Sequence, residues 1–214
     1  MAIVQNPITG RTKKKFASAV FSKQFGKNTM RSKPIEVSNP KTLKQRQQRA
    51  KFSLMVELSR SFLGFIRIGF KQFAAGMSEF NAFMKSNIKV VISGTYPDYE
   101  IDFTKLIVTR GTLVGAEAGT ATAAAGHLIN VAWTDNTGYG DALDTDKAMV
   151  LALNFDKKGE KHDVISKTRA DEALALEVPA SWVGDEVHVF LSFSTEAGDK
   201  VADSVYLDSV TILA

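Results

Sequence analysis

The clearest alternation in the chain sets Val187, Val189, Leu191 and Phe193 against His188, Phe190 and Ser192. A period of two residues is what a strand with one core-facing side shows. Met149, Leu151, Leu153 and Phe155 repeat the pattern. From about Phe103 onward the same period predicts strands over 106–109, 128–134, 148–155, 163–167, 173–178, 187–193 and 205–213. Turn-forming clusters at 135–140, 157–159 and 198–200 separate them.

Before residue 103 the pattern differs. Residues 1–38 read as extended structure, with 18–25 and 28–33 forming a loose hairpin around Gly26. Asn39-Pro40 is a helix start, because Asn caps backbone N–H groups and Pro at the first helical position sacrifices no hydrogen bond. The following stretch, 41–57, holds no Gly or Pro. Its first half is polar almost all round, and apolar spacing begins at Ala50, Phe52, Met55 and Val56. Phe62, Ile66, Phe70 and Phe73 then make one helical stripe, interrupted by Gly64 and Gly69 and closed by Gly76. Ser78 caps a short third helix carrying Phe80, Phe83 and Met84, followed by a strand over 88–92 and a turn over 94–98.

These elements define an α+β chain: a basic extended N-terminal arm or hairpin (1–38), short helices with a closing strand (39–102), and an all-β sandwich (103–214). Seven short strands in roughly 110 residues fit an immunoglobulin-like β-sandwich. Trp133 stands where an early strand faces the core, and Trp182 follows Pro179 in a loop. The cysteine pair of antibody domains has no counterpart, so the likeness is one of architecture. Seven alternating strands are expected to bury a two-layer core unaided.

Composition sharpens this picture mainly by exclusion. The 214 residues are 44% hydrophobic and 23% charged, a globular balance. With no cysteine, disulfides, thiolate nucleophiles, zinc fingers and iron–sulfur ligation are ruled out together. The longest stretch free of Asp, Glu, Lys and Arg, 118–134, is 17 residues of mostly Ala, Gly and Thr. A membrane-spanning helix needs about 20 strongly apolar residues. No signal peptide is read either, since the run 16–22 after Arg11 is too short and polar. The expected location is the cytoplasm or a virion.

The net charge of +4 conceals a gradient. Residues 1–52 hold 13 Lys/Arg and a single acid, Glu36, whereas residues 101–214 hold nine bases and 18 acids. A positive segment this dense calls for an acidic partner: nucleic acid, an anionic surface, or the acidic half of another copy. The candidate partner- or phosphate-binding residues are Arg11, Lys13, Lys14, Lys15, Lys23, Lys27, Arg31 and Lys33. Phe16, Phe21 and Phe25, interleaved with them, suit either base stacking or apolar anchoring.

Catalytic chemistry is not legible. The nucleophile-elbow, P-loop, dinucleotide-binding and H-E-x-x-H patterns are absent. His127, His162 and His188 lie far apart in sequence, and alternation puts His188 on the outward, solvated face of its strand. No catalytic residue, cofactor or metal ligand is assigned. Asp135, Asp141, Asp144 and Asp146 supply oxygens that a hard cation wants, but their spacing matches no EF-hand. Asp, Asn and Gly are equally what a turn between strands uses.

The block Met30-Arg31-Ser32-Lys33-Pro34, with Asn39-Pro40-Lys41-Thr42, Gln45 and Gln48-Arg49-Ala50-Lys51-Phe52, resembles a domain family of unknown function from Bacteroidota genomes. The likeness continues through 65–71, 94–99 and 131–136 and ends near 187–190 and 203–206. Where the family's usual opening is glycine-rich, this chain has Arg11 and three consecutive lysines. The segment from Asn39-Pro40 through Thr42 and Gln45 to Arg49-Ala50 also looks like parts of small phage virion proteins. The resemblance implies no activity, cofactor or catalytic residue. The expected function is a non-enzymatic structural or assembly role, with copies of itself or other assembly proteins as partners. A nucleic-acid-binding role for the basic arm is the alternative.

Overall fold

The computed structural model describes residues 14–16, 19–24, 27–36 and 39–214. The chain divides into two units, Met1–Gln45 and Arg46–Ala214.

In the first unit β1 (Lys14–Phe16), β2 (Ala19–Gln24) and β3 (Lys27–Ser32) form one antiparallel sheet in the order β1-β2-β3. The expected two-stranded hairpin thus gains a third strand, paired through Lys14 with Phe21 and Lys15 with Val20. Ser22 Oγ and Thr29 Oγ1, cross-strand neighbours, lie 2.6 Å apart.

Helix α1 (Leu43–Ser61) starts later than Asn39-Pro40 suggested. Thr42 caps it, its Oγ1 accepting the N–H of Gln45 at 3.4 Å. Helix α2 (Leu63–Gly69) and helix α3 (Glu79–Asn87) follow, the latter capped by Ser78, as expected, through the N–H of Asn81. Phe62, Ile66 and Phe70 of the apolar stripe are fully buried, but Phe73 is exposed beneath the guanidinium of Arg110. Of the strand expected over 88–92, residues 88–90 form a turn, and strand structure begins only at Ile92. The hairpin comes next, with β4 (Ile92–Thr95) and β5 (Asp98–Ile101) meeting around Tyr96-Pro97.

The sandwich contains β6 (Glu117–Ala124), β7 (Leu128–Thr134), β8 (Lys147–Asn154), β9 (Gly159–Asp163), β10 (Ala173–Glu177), β11 (Glu186–Ser194) and β12 (Val205–Thr211). Its sheets run β10-β7-β6 and β12-β11-β8-β9. Five of the seven expected strands stand within two residues of their predicted ends. Residues 106–109 form no strand, because their backbone bonds to side chains instead: Ile107 to Asn87, and Val108 and Thr109 to Ser204 Oγ. The strand predicted over 163–167 lies earlier, as β9. Asp163 Oδ1 accepts the N–H groups of Ile165 and Ser166 and so turns the chain out of the sheet. Strand β6 carries only Ala, Gly and Thr beyond its first residue and gave no apolar signal.

The four-stranded sheet is covered on both sides. Register places Val189, Leu191 and Phe193 of β11 with Ala152, Val150 and Ala148 of β8, on the face that packs against Ile129, Val131, Trp133, Leu174 and Leu176. The other face, Phe190 with Leu151 and Ser192 with Met149, packs against Met55, Leu58, Phe65, Ile66 and Phe83 of the helices. Arg46–Ala214 therefore has three layers: helices, four strands, three strands. A boundary near residue 102 has no counterpart in this packing, because helices and sheet share one core. Asn87 fastens the helical layer. Its fully buried amide donates to Ile107 O and accepts from Ile107 N, both at 2.9 Å, taking the place of a paired strand.

Candidate functional site

The predicted basic residues are only partly gathered. Arg11 and Lys13 lie outside the described residues, while Lys14 and Lys15 fall in β1 and Lys27 begins β3. Lys23, Arg31 and Lys33 are exposed. Arg31 pairs with Val20 and Lys23 with Asn28, an odd offset along β2 that puts these two cations on opposite faces of the sheet. No residue of this sheet with a described side chain is buried, and Met30 and Ile35 stand 70% and 106% exposed.

The expectation for His188 is corrected. Alternation assigned its face properly, but that face is inside the molecule. Its ring stacks on Phe103 at 3.7 Å and 17°, and Nδ1 lies 3.1 Å from the Tyr206 hydroxyl. Burial pushes the imidazole pKa below its ordinary value, against the opposing pull of Glu186, Asp156 and Asp208. Burial likewise raises the Tyr206 phenol. His162 contacts Glu160 at 2.7 Å and the Phe65 ring, and His127 occupies the β6–β7 turn with φ of 61°.

Each aspartate of the acidic loop that could gather around a cation already has another partner, apart from Asp144. Asp135 caps its own turn through Thr137, Asp141 accepts the N–H of Val114 and pairs with Lys200 at 3.3 Å, and Asp146 is fully buried beside Arg169. Among the described residues no group of three or more His, Cys, Asp or Glu is placed to hold a metal ion.

Sequence reasoning missed Arg169. A charged side chain following a strand reads as surface, yet Arg169 is completely buried. Its Nε and Nη2 donate to Asp146 Oδ2 at 3.2 and 3.1 Å, and Nη2 and Nη1 reach the carbonyls of Val114 and Gly115. Nη1 also donates to Asn136 Oδ1, which stands at 2.5 Å. These contacts fix the base of the acidic loop, whose tip remains exposed. Tyr139 and Leu143, 74% and 57% exposed, stand there beside Asp141 and Asp144, while the buried Ala142 anchors the loop from below.

A groove along the helices was missed too. A hollow of about 890 Å³ runs beside α1, lined by Arg49, Phe52, Ser53, Val56 and Arg60, with Lys158 and Glu57 paired across it at 2.6 Å. A second hollow of about 370 Å³ shares Val56 and Arg60 and adds Leu63, Arg67 and Phe80. Phe52 is 48% exposed at its edge. Among the described residues Arg60 and Arg67 have no ion pair. The sequence hint was the doubled helix face: Phe52 and Val56 are one turn apart, off the buried line through Met55 and Leu58.

The unit Arg46–Ala214 is thus a β-sandwich with a helical layer closed over its larger sheet, and Met1–Gln45 holds a three-stranded sheet of its own. By sequence the chain belongs to DUF6266, a family of unknown function, which it matches over residues 11–208. No curated protein matches it. Among solved structures it is similar to the fn3 domain of human collagen alpha-1(XX) chain, at 15% identity over 47% of this chain and 87% of that one, with a TM-score of 0.36. Among the described residues no helix is long and apolar enough to cross a membrane.

Proposed function

We propose that the chain is a non-enzymatic structural or assembly protein, a component of a virion or phage-derived particle, that associates with its own copies or with other assembly proteins through its N-terminal sheet. One observation carries the reading: Met1–Gln45 is a unit of its own, and no described side chain of its three-stranded sheet is buried. A small sheet without a core is marginal in water and gains stability by pairing or packing elsewhere. Among the described residues strand β3 pairs on one side only, and such an edge can recruit a further strand from a partner. Charge supports it as well. Residues 1–45 hold ten Lys/Arg against Glu36, whereas residues 46–214 hold 17 Lys/Arg against 22 Asp/Glu, so the two units of neighbouring copies attract.

The nucleic-acid reading rests on the same basic excess. The register of Lys23 and Arg31 speaks against it, since a phosphate backbone is tracked by cations on one surface. Size-exclusion chromatography with light scattering, before and after nuclease treatment, separates the two. Assemblies that survive nuclease are expected, and a monomer that co-purifies with nucleic acid would overturn the proposal.

A further inference from the structure

The acidic loop tip and the helical groove match each other in two independent properties. The tip presents two large apolar side chains, Tyr139 and Leu143, with the carboxylate of Asp144 next to them, Asp141 being paired with Lys200. The two hollows are lined by the apolar Phe52, Val56, Leu63 and Phe80 and by the guanidinium groups of Arg60 and Arg67, with Glu79 and the Glu57–Lys158 pair also in their walls. Apolar surface meets apolar surface, and the Asp144 carboxylate meets Arg60 and Arg67; none of the three has an ion pair within 4 Å among the described residues, although Arg60 also acts on Glu57 at longer range.

The tip is also held ready. Gly138 N donates to Ala142 O at 3.0 Å and Ala142 N to Tyr139 O at 3.1 Å. Leu143 N donates to Asp146 Oδ2, the oxygen that Arg169 grips. A loop fixed before contact loses little conformational freedom on docking.

We infer that the β7–β8 loop tip of one copy docks in the α1–α3 groove of the next. This deepens the assembly reading and rests on it, but it names a contact separate from the N-terminal sheet. The two surfaces differ, so the contact is heterologous: the copy that gives its tip keeps its groove free, the copy that gives its groove keeps its tip free, and copies add head to tail into a ring or an open filament. At the centre Leu143 and Tyr139 lie against Phe52 and Val56, with Asp144 near Arg60 or Arg67.

The absence of cysteine from the chain makes the contact traceable in the full-length protein. One chain carries Leu143→Cys, a second carries Ser53→Cys, and a third carries Ile165→Cys on a 73% exposed residue outside the groove. Under a mild copper–phenanthroline oxidant, mixing the first two should give a covalent dimer, and the chain with both substitutions should give a ladder of longer species. Adding Arg60→Glu and Arg67→Glu to the Ser53→Cys chain should slow cross-linking about tenfold, and Asp144→Arg on the partner should recover part of that loss. Equal cross-linking of Leu143→Cys to Ser53→Cys and to Ile165→Cys, or none to either, would overturn the docking. Light scattering on the unmodified chain judges the assembly reading separately. Large species without this cross-link sink the contact alone, and a monomer at every concentration sinks both.

Discussion

The guanidinium of Arg169 lies 4.0 Å from the centroid of the Phe193 ring while its edge grips Asp146. A fully buried cation is tolerated here because a carboxylate, two carbonyls and an aromatic face replace its water. Arg169→Ala should therefore cost about 3–5 kcal/mol, most of it from leaving the Asp146 carboxylate buried and uncompensated. Pairing that change with Asp146→Ala should cost less than the sum of the two single variants. Chemical denaturation of all three variants checks this, and strict additivity would mean that the two residues act independently.

His188 gives the fold a pH dependence of known sign. Its folded-state pKa lies below the unfolded value, so the unfolded chain binds the proton more readily. The contribution is complete above the unfolded pKa of about 6.5 and is lost as pH falls from there toward the folded value. His188→Gln should flatten the stability curve over that interval while lowering stability at neutral pH through loss of the stack on Phe103. Melting temperatures measured in parallel for both proteins between pH 7.5 and 5 would reveal it.

Two glycines make a paired test of close packing. A Cβ on Gly111 would stand 1.8 Å from the Val201 carbonyl, whereas one on Gly64 meets nothing within 4 Å. Gly111→Ala should cost at least about 1–3 kcal/mol through forced separation of the two segments. Gly64→Ala, in a helix, should gain about 0.5–1 kcal/mol. Opposite shifts in melting temperature are the expected result.

Residues 103–214 expressed alone should not behave as a finished sandwich. Removing the helices uncovers Met149, Leu151, Leu153 and Phe190, all fully buried in the chain. A fragment of that length should aggregate or bind a hydrophobic dye, whereas residues 46–214 should stay monodisperse once the loop-to-groove contact is disabled. A soluble, dye-free 103–214 fragment would contradict the shared core.

How far the sequence could be read depended on what each segment's surroundings were. Strand β7 alternates buried and exposed positions from Ile129 to Thr134, one face on the core and one on solvent, and its limits were predicted without error. Strands β8 and β11 were found, but their layering was not. Read separately, Met149, Leu151 and Leu153 mark one face of β8 as core, and Val189 and Leu191 mark the opposite face through β11. Both are right, since a strand buried on both sides reads as a near-continuous apolar run. Strand β6 was invisible because Ala and Thr carry little periodicity. Of the site, the basic excess was legible from composition. The groove was not, because it depends on which side of α1 the sheet leaves uncovered, and Arg169 was not, because its partners lie 23 to 55 residues away.

The double covering of the four-stranded sheet bears on how the chain can change over time. Neighbouring positions in β8 answer to different layers: Val150 to the smaller sheet, Leu151 to the helices. A lineage that lost the helices would have to turn Met149, Leu151, Leu153 and Phe190 polar at once, since each alone leaves an apolar wall facing water. The helical layer is thereby locked to the sandwich, and variation in descendants of this chain should concentrate outside this doubly covered core.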